Sequence, residues 1–287
     1  RPRPGDDEVM FEINQLTKSY GRNRVVEDLT FTVPDGAITG FLGPNGSGKS
    51  TTMRCMLGLD RIDHGEALID GRPLSGYRAP ARVVGAMLDA GWMNPKLTAR
   101  THLRSVARSA AIDAARADEC LALVGLETVA AKRIGGFSLG MKQRLGLATA
   151  MLGDPSHLVL DEPVNGLDPD GIRWIRTMIR RFAEEGRSVL VSSHLLSEME
   201  VTADRLVIIG KGRLIGEWDK QELLDGHANL EEAYWSVASG HAESGGSETA
   251  VAWRASTSPQ HPKPQRQKPQ RQKPQRPKPQ YPKSQYL

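Results

Sequence analysis

The octapeptide Gly43-Pro44-Asn45-Gly46-Ser47-Gly48-Lys49-Ser50 constrains this chain more than any other feature. It fits G-x-x-x-x-G-K-[ST], and its setting is the one that pattern requires. The apolar run at residues 37–42 reads as a short buried strand, and residues 49–57 read as a helix. Glycines let successive backbone N–H groups converge on phosphate oxygens, and the helix N-terminus adds partial positive charge. Lys49 would reach the β- and γ-phosphates. The Ser50 hydroxyl would hold Mg²⁺, and Thr51 follows in the same first helical turn.

Charge is divided unevenly. Of a net +4, residues 259–287 alone contribute +8 from five Lys and three Arg with no acid, so the remainder carries −4. A mildly acidic folded part argues against a domain built to bind nucleic acid specifically, which would need its own basic face. Cys55 and Cys120, two thiols in 287 residues, do not make a disulfide framework and fit a reducing cytosol. No run approaches 18 apolar residues, so no membrane span is expected. Residues 1–8 are read as a disordered extension without signal-peptide character, with Met10 a candidate natural start.

Strands are expected at residues 11–14, 25–33, 68–70, 157–160 and 188–193, with a hairpin at 206–209 and 213–217 around Gly210-Lys211-Gly212. Leu29, Phe31 and Val33 would share one strand face. Residues 100–124 read as mostly helical. Residues 145–152 read as a helix, and 172–185 as an amphipathic one with Ile172, Ile175, Ile179 and Phe182 in a stripe and Gly186 as its stop. Strands alternating with helices predict an α/β fold with a largely parallel central sheet and an antiparallel β-layer at the N-terminal edge. From residue 263 the chain repeats Lys-Pro-Gln with period five. It has almost nothing apolar to bury there, so 237–287 reads as a disordered linker and tail.

Further motifs follow the phosphate loop in order: Phe137-Ser138-Leu139-Gly140-Met141-Lys142-Gln143-Arg144; then Leu158-Val159-Leu160-Asp161-Glu162-Pro163; then Gly166-Leu167-Asp168-Pro169; then Ser192-Ser193-His194. Together these resemble the nucleotide-binding subunit of ABC transporters over roughly residues 9–236, with a helical subdomain at about 90–150 inserted in a P-loop NTPase core. The cofactors implied are ATP and Mg²⁺. Asp161, at a strand end, would hold Mg²⁺ opposite Ser50, and Glu162 would orient the attacking water as general base. The resemblance implies that His194 contacts the γ-phosphate and that Tyr20, before Gly21, stacks on adenine. It also implies a homodimer, in which Ser138 and Gly140 of one copy close over the nucleotide on the phosphate loop of the other.

Two departures stand out. The common Leu-Ser-Gly-Gly-Gln is Phe137-Ser138-Leu139-Gly140-Met141 here, which keeps Ser138 and Gly140. Most members carry a Gln in the loop leading to the helical subdomain, yet no Gln occurs between Gln15 and Gln143, and Asp89 falls at that place. A carboxylate there can still bind Mg²⁺ or water. Asp89, the run Ser138 to Gly146, and residues 230–235 look like the bacitracin and antibiotic-export subgroup, and residues 92–103 would help form the groove for a permease.

The expectation is an ATPase at the cytoplasmic face of the membrane, powering a separate permease that exports an antibiotic, drug or lipid-like molecule. The basic tail is expected to approach anionic lipid. The rival is a soluble ABC ATPase acting on ribosomes or DNA. Against it, the chain holds one phosphate loop, and the 89 residues between Lys49 and Ser138 leave no room for a long coiled coil. A regulatory module that binds ATP without turnover is the third reading, opposed by the presence of Glu162 and His194.

Overall fold

The computed structural model of the protein describes residues 9–89 and 92–243. The expected extension at 1–8 and the Lys-Pro-Gln tail lie outside the described residues, as does most of the expected linker. Among the described residues no helix is long and apolar enough to cross a membrane.

Two sheets organise the molecule. The strands β1 (Val9–Tyr20), β2 (Asn23–Pro34) and β4 (His64–Ile69) form an antiparallel sheet in the order β2-β1-β4. The second sheet has six strands: β3 (Ile38–Leu42), β5 (Val84–Met87), β6 (His157–Asp161), β7 (Ser188–Ser193), β8 (Arg205–Gly210) and β9 (Arg213–Asp219). Its order is β5-β6-β7-β3-β8-β9, parallel except for the terminal β8–β9 hairpin. The parallel core and the antiparallel layer are as expected, and the hairpin supplies the far edge of the parallel sheet.

Alternation along the parallel strands decides which core each residue enters. Phe41, Val159, Leu190, Val207 and Ile209 face the small sheet and pack with its Phe11, Ile13, Leu29, Phe31 and Val33. The helix α1 (Lys49–Met56) lies in that layer through Met53 and Met56. Ile38, Leu42, Leu158, Leu160, Val189, Val191 and Ile208 face the other way, into a larger helical core. That core is built by α2 (Ala99–Ser109), α3 (Arg116–Leu123), α4 (Leu139–Ala150), α5 (Pro169–Glu184), α6 (Leu196–Thr202) and, past the short α7 (Lys220–Leu224), α8 (Leu230–Glu243).

Several boundaries differ from the sequence expectation for identifiable reasons. β1 runs 12 residues rather than four, because it pairs with strands on both sides and its outward polar side chains hide the pattern. The 100–124 helix is two helices. Ala111 turns to φ 53, and the Asp113 carboxylate accepts the Ala115 N–H at 2.9 Å to restart the chain as α3. α4 and α5 begin earlier than expected, at side-chain caps. Ser138 Oγ accepts the Met141 N–H at 3.3 Å, and Asp168 Oδ1 accepts the Gly171 N–H at 2.9 Å.

Candidate nucleotide site

In a parallel sheet every strand delivers its C-terminal end to the same rim, and ligands gather there. Here β5, β6, β7 and β3 are neighbours, with Met87 beside Leu160, Asp161 beside Ser192, and Leu42 beside Ser193. The residues that follow each strand are therefore brought together although they are spread over more than 100 positions.

The loop after β3 is shaped by its backbone. A Cβ on Gly43 would lie 2.5 Å from both the Ile209 carbonyl oxygen and Ser47 Oγ, so only glycine fits. Gly48 has φ +103, a conformation glycine alone adopts without strain, and it leads into α1. Pro44 O accepts the Ser47 N–H at 3.1 Å, while Asn45 and Gly46 are exposed at the tip. Lys49 is buried and arches back over the loop, donating to the carbonyls of Gly43 at 2.6 Å and Pro44 at 3.2 Å. Burial pushes its pKa down, opposed by the charges of Glu162 and Asp161. Ser47 Oγ is buried without a hydrogen-bond partner. A loop presenting a buried cation and an orphaned hydroxyl beside exposed backbone fits an arriving phosphate.

One cleft of about 460 Å³ joins Ser50, Asp89, Gln143, Asp161, Glu162 and Asn165. Ser50, in the first turn of α1 after β3, and Asp161, at the end of β6 two strands away, present a hydroxyl and a carboxylate to this cleft, a donor set that suits Mg²⁺. Glu162, next to Asp161 on the same rim, adopts a φ of 46, uncommon for a residue with a side chain. His194 Nδ1 lies 3.0 Å from Glu162 Oε2. The two are in close contact but not aligned as a hydrogen bond, Nδ1 being buried without a hydrogen-bond partner. The His194 contact holds the Glu162 carboxyl below its usual range against the opposing effect of burial, and the Lys49 charge adds to it. Glu162 is thus an ionised base at neutral pH.

Three residues here escaped the sequence reading of function. Ser192 Oγ donates to Asp161 Oδ1 and accepts the Glu162 N–H at 2.9 Å, clamping both acids to β7. Asn165 Nδ2 donates to Glu162 Oε2 at 3.2 Å. Gln143, from α4, enters the cleft beside Asp89. Between Lys142 and Arg144 in the sequence, Gln143 reads as one more polar residue of a solvated stretch, and Ser192 reads merely as part of a strand end.

The remaining candidates sit apart. Tyr20 is 48% exposed at the end of β1 and donates to Asp60 Oδ2 at 2.6 Å, and Arg54 grips the same carboxylate at 2.8 Å. That donation, chiefly, raises the Tyr20 pKa, and Thr51 touches the phenol from α1. Ser138 and Gly140 line a second cleft of about 580 Å³ with Arg144, Leu167 and Asp168, separate from Lys49 and Ser50. Arg144 stacks on Trp174 there, 4.2 Å from the ring centroid.

A family model described as ABC transporter matches residues 26–165, and an AAA-domain model matches residues 133–200. An uncharacterized ABC transporter ATP-binding protein of Bacillus subtilis (strain 168) is 40% identical over 230 residues, covering 79% of this chain and 74% of that protein. A lantibiotic transport ATP-binding protein of Streptococcus pyogenes is 36% identical, covering 78% and 96%. A bacitracin transport ATP-binding protein of Bacillus licheniformis is 42% identical, covering 73% and 69%. A solved ATP-binding subunit of an ABC transporter superposes with a TM-score of 0.72 at 28% identity, over 80% of this chain and 99% of that one. A nucleotide-free ATP-binding cassette at 18% identity and TM-score 0.67 shares the fold.

Proposed function

This chain belongs to the ABC transporter family of ATP-binding ATPases, and from that premise we propose that it powers a separate membrane permease exporting an antibiotic or lantibiotic-like molecule. The observation that carries the ATPase part is the convergence of Lys49, Ser50, Asp161, Glu162 and His194 at adjacent strand ends. The export part rests on relatives named for lantibiotic and bacitracin transport.

The residues divide the work. The loop N–H groups and Lys49 hold the β- and γ-phosphates, and Lys49 exchanges its two carbonyl partners for phosphate oxygens. Ser50 and Asp161 would hold Mg²⁺, and that ion would supply positive charge against the phosphates. Glu162 orients a water and takes its proton as the water oxygen bonds to the γ-phosphorus and the bridging oxygen leaves with ADP. His194 holds the Glu162 carboxyl below its usual range and is assigned to the γ-phosphate. Tyr20 offers an exposed ring, fixed through its hydroxyl, for the adenine.

Ser138 and Gly140 stand apart from the chain's own phosphate loop, at the capped start of α4. A helix N-terminus and its flanking N–H groups are donors for a phosphate. We assign them to the nucleotide of a second copy, so that ATP joins two subunits. The working position is peripheral, at the cytoplasmic face of the membrane, with Trp92, 56% exposed, on the side offered to the permease.

Glu162→Gln tests this. The amide keeps the shape but takes no proton, so the variant is expected to bind Mg-ATP, lose turnover and run as a dimer in gel filtration. A monomer with unimpaired turnover overturns the assignment. Co-purification with ribosomes instead of a membrane protein from gently solubilised cells would favour the soluble-ATPase rival.

A further inference from the structure

Gln143 is 7% exposed, lines the cleft of Ser50 and Asp161, and has its Oε1 buried without a hydrogen-bond partner. A buried carbonyl oxygen left unpaired is costly, and an apolar side chain at this place on α4 would avoid that. The packing explains how it got there. β5 runs antiparallel to α4 at very short range: Gly85 lies against the Ala150 carbonyl, and a Cβ on Gly146 would sit 2.9 Å from Met87 Sδ. Two residues along a strand advance about 6.6 Å, and three to four along a helix about 4.5–6 Å. The matched steps pair 85 with 150 and 87 with 146, and the next step sets Asp89 opposite Gln143. Glycine at 85 and 146 permits the approach, and Gln143 lies on the same helical face as Gly146, one turn earlier.

The loop after β5 thus brings a carboxylate to the cleft, which only accepts hydrogen bonds when ionised. The carboxamide that can both accept and donate comes from α4. We propose that Gln143 is a positioning residue of the cation site: its Oε1 accepts a hydrogen bond from a water held by the divalent cation between Ser50 and Asp161, with Asp89 as the second acceptor of that shell. Waters on a divalent cation are strong donors, and residues that accept their hydrogen bonds tune the cation's orientation and affinity. The pairing also makes α4, whose N-terminus carries Ser138 and Gly140, respond to the presence of the metal–nucleotide complex. The inference rests on the nucleotide-site reading above.

The test uses the full chain, Mn²⁺ in place of Mg²⁺, and a nonhydrolysable β,γ-imido analogue of ATP. Binding of the analogue is measured with Mn²⁺ present and with EDTA. Gln143→Leu is expected to weaken the Mn²⁺-dependent binding about ten- to a hundredfold, to leave metal-free binding within twofold, and to leave the melting temperature without ligand unchanged or raised. Gln143→Glu, which keeps an acceptor at the same reach, is expected to restore most of the metal-dependent affinity. Equal Mn²⁺-dependent binding in Gln143→Leu and the parent would make Gln143 core filler. Equal loss with and without metal would make its role structural. Either result overturns the inference while leaving the ATPase reading intact. A parent protein that fails to bind the analogue, or binds it equally with and without Mn²⁺, overturns both.

Discussion

Ser192→Ala removes one oxygen and two bonds. Ser192 is fully buried on β7, donates to Asp161 Oδ1 and accepts the Glu162 N–H at 2.9 Å. A bond to a charged group contributes about 1.5–3 kcal/mol and a neutral one about 0.5–1.5 kcal/mol. Asp161 is only half-buried and keeps part of its hydration, so the lower half of that range applies, about 2–3 kcal/mol in all. For a domain of this size, 1 kcal/mol moves the melting temperature by about 2–4 °C, giving a drop of about 4–12 °C. The larger effect should fall on turnover. Glu162 holds φ 46 with its N–H tied to Ser192, and once released it relaxes away from its working position. Misplacement of a reacting group by about 1 Å costs on the order of a hundredfold. Thermal melting and steady-state ATPase assays read the two effects separately, with nucleotide binding as a control. In a cycle with Asp161→Asn the two stability losses should fall short of additive, because both variants remove the same bond. A Ser192→Ala protein that melts within about 1 °C of the parent and turns over ATP at the parent rate would refute the idea that Ser192 organises the acids.

Three further outcomes are expected. Because the His194 contact holds the Glu162 pKa below its ordinary value, Glu162 adds stability that is present above its unfolded pKa and lost as pH falls through the lower folded one. His194→Ala narrows that window, so the acid limb of both the stability and turnover profiles should move to higher pH; an unmoved limb with reduced turnover would assign His194 to phosphate contact alone. Burial pushes the thiols of Cys55 and Cys120 up to about 11, so a disulfide reagent at pH 8 should label them slowly in the native protein and fully in guanidinium, and rapid native labelling of either would contradict their burial. Removal of residues 259–287, which carry eight positive charges and no acid, is expected to spare ATPase activity while weakening salt-sensitive binding to anionic vesicles. Equal vesicle binding at low salt would leave the tail a solvated appendage.

Where a function needs consecutive residues, the chain states it openly. The phosphate loop is legible because glycine spacing, Lys49 and Ser50 act within one turn of backbone. Asp161 and Glu162 are legible because an apolar run announces the strand that presents them. The parallel core also follows from alternating strand and helix patterns. What the sequence left open depends on distance in space. β1 looked four residues long because its outward face is polar, and its pairing with two neighbours made it 12. Asp113 restarted a helix that composition alone ran through. Ser192 is 31 residues from Asp161, and only the β6–β7 register places them side by side. Gln143 is 54 residues beyond Asp89, and two glycine contacts between β5 and α4 bring them to one cleft. The sequence alone therefore determined the local loops and the chemical types present. Tertiary packing decided which acids share a serine and which amide faces the cation site, because side-chain hydrogen bonds reach only about 3 Å and backbone approach alone sets that distance.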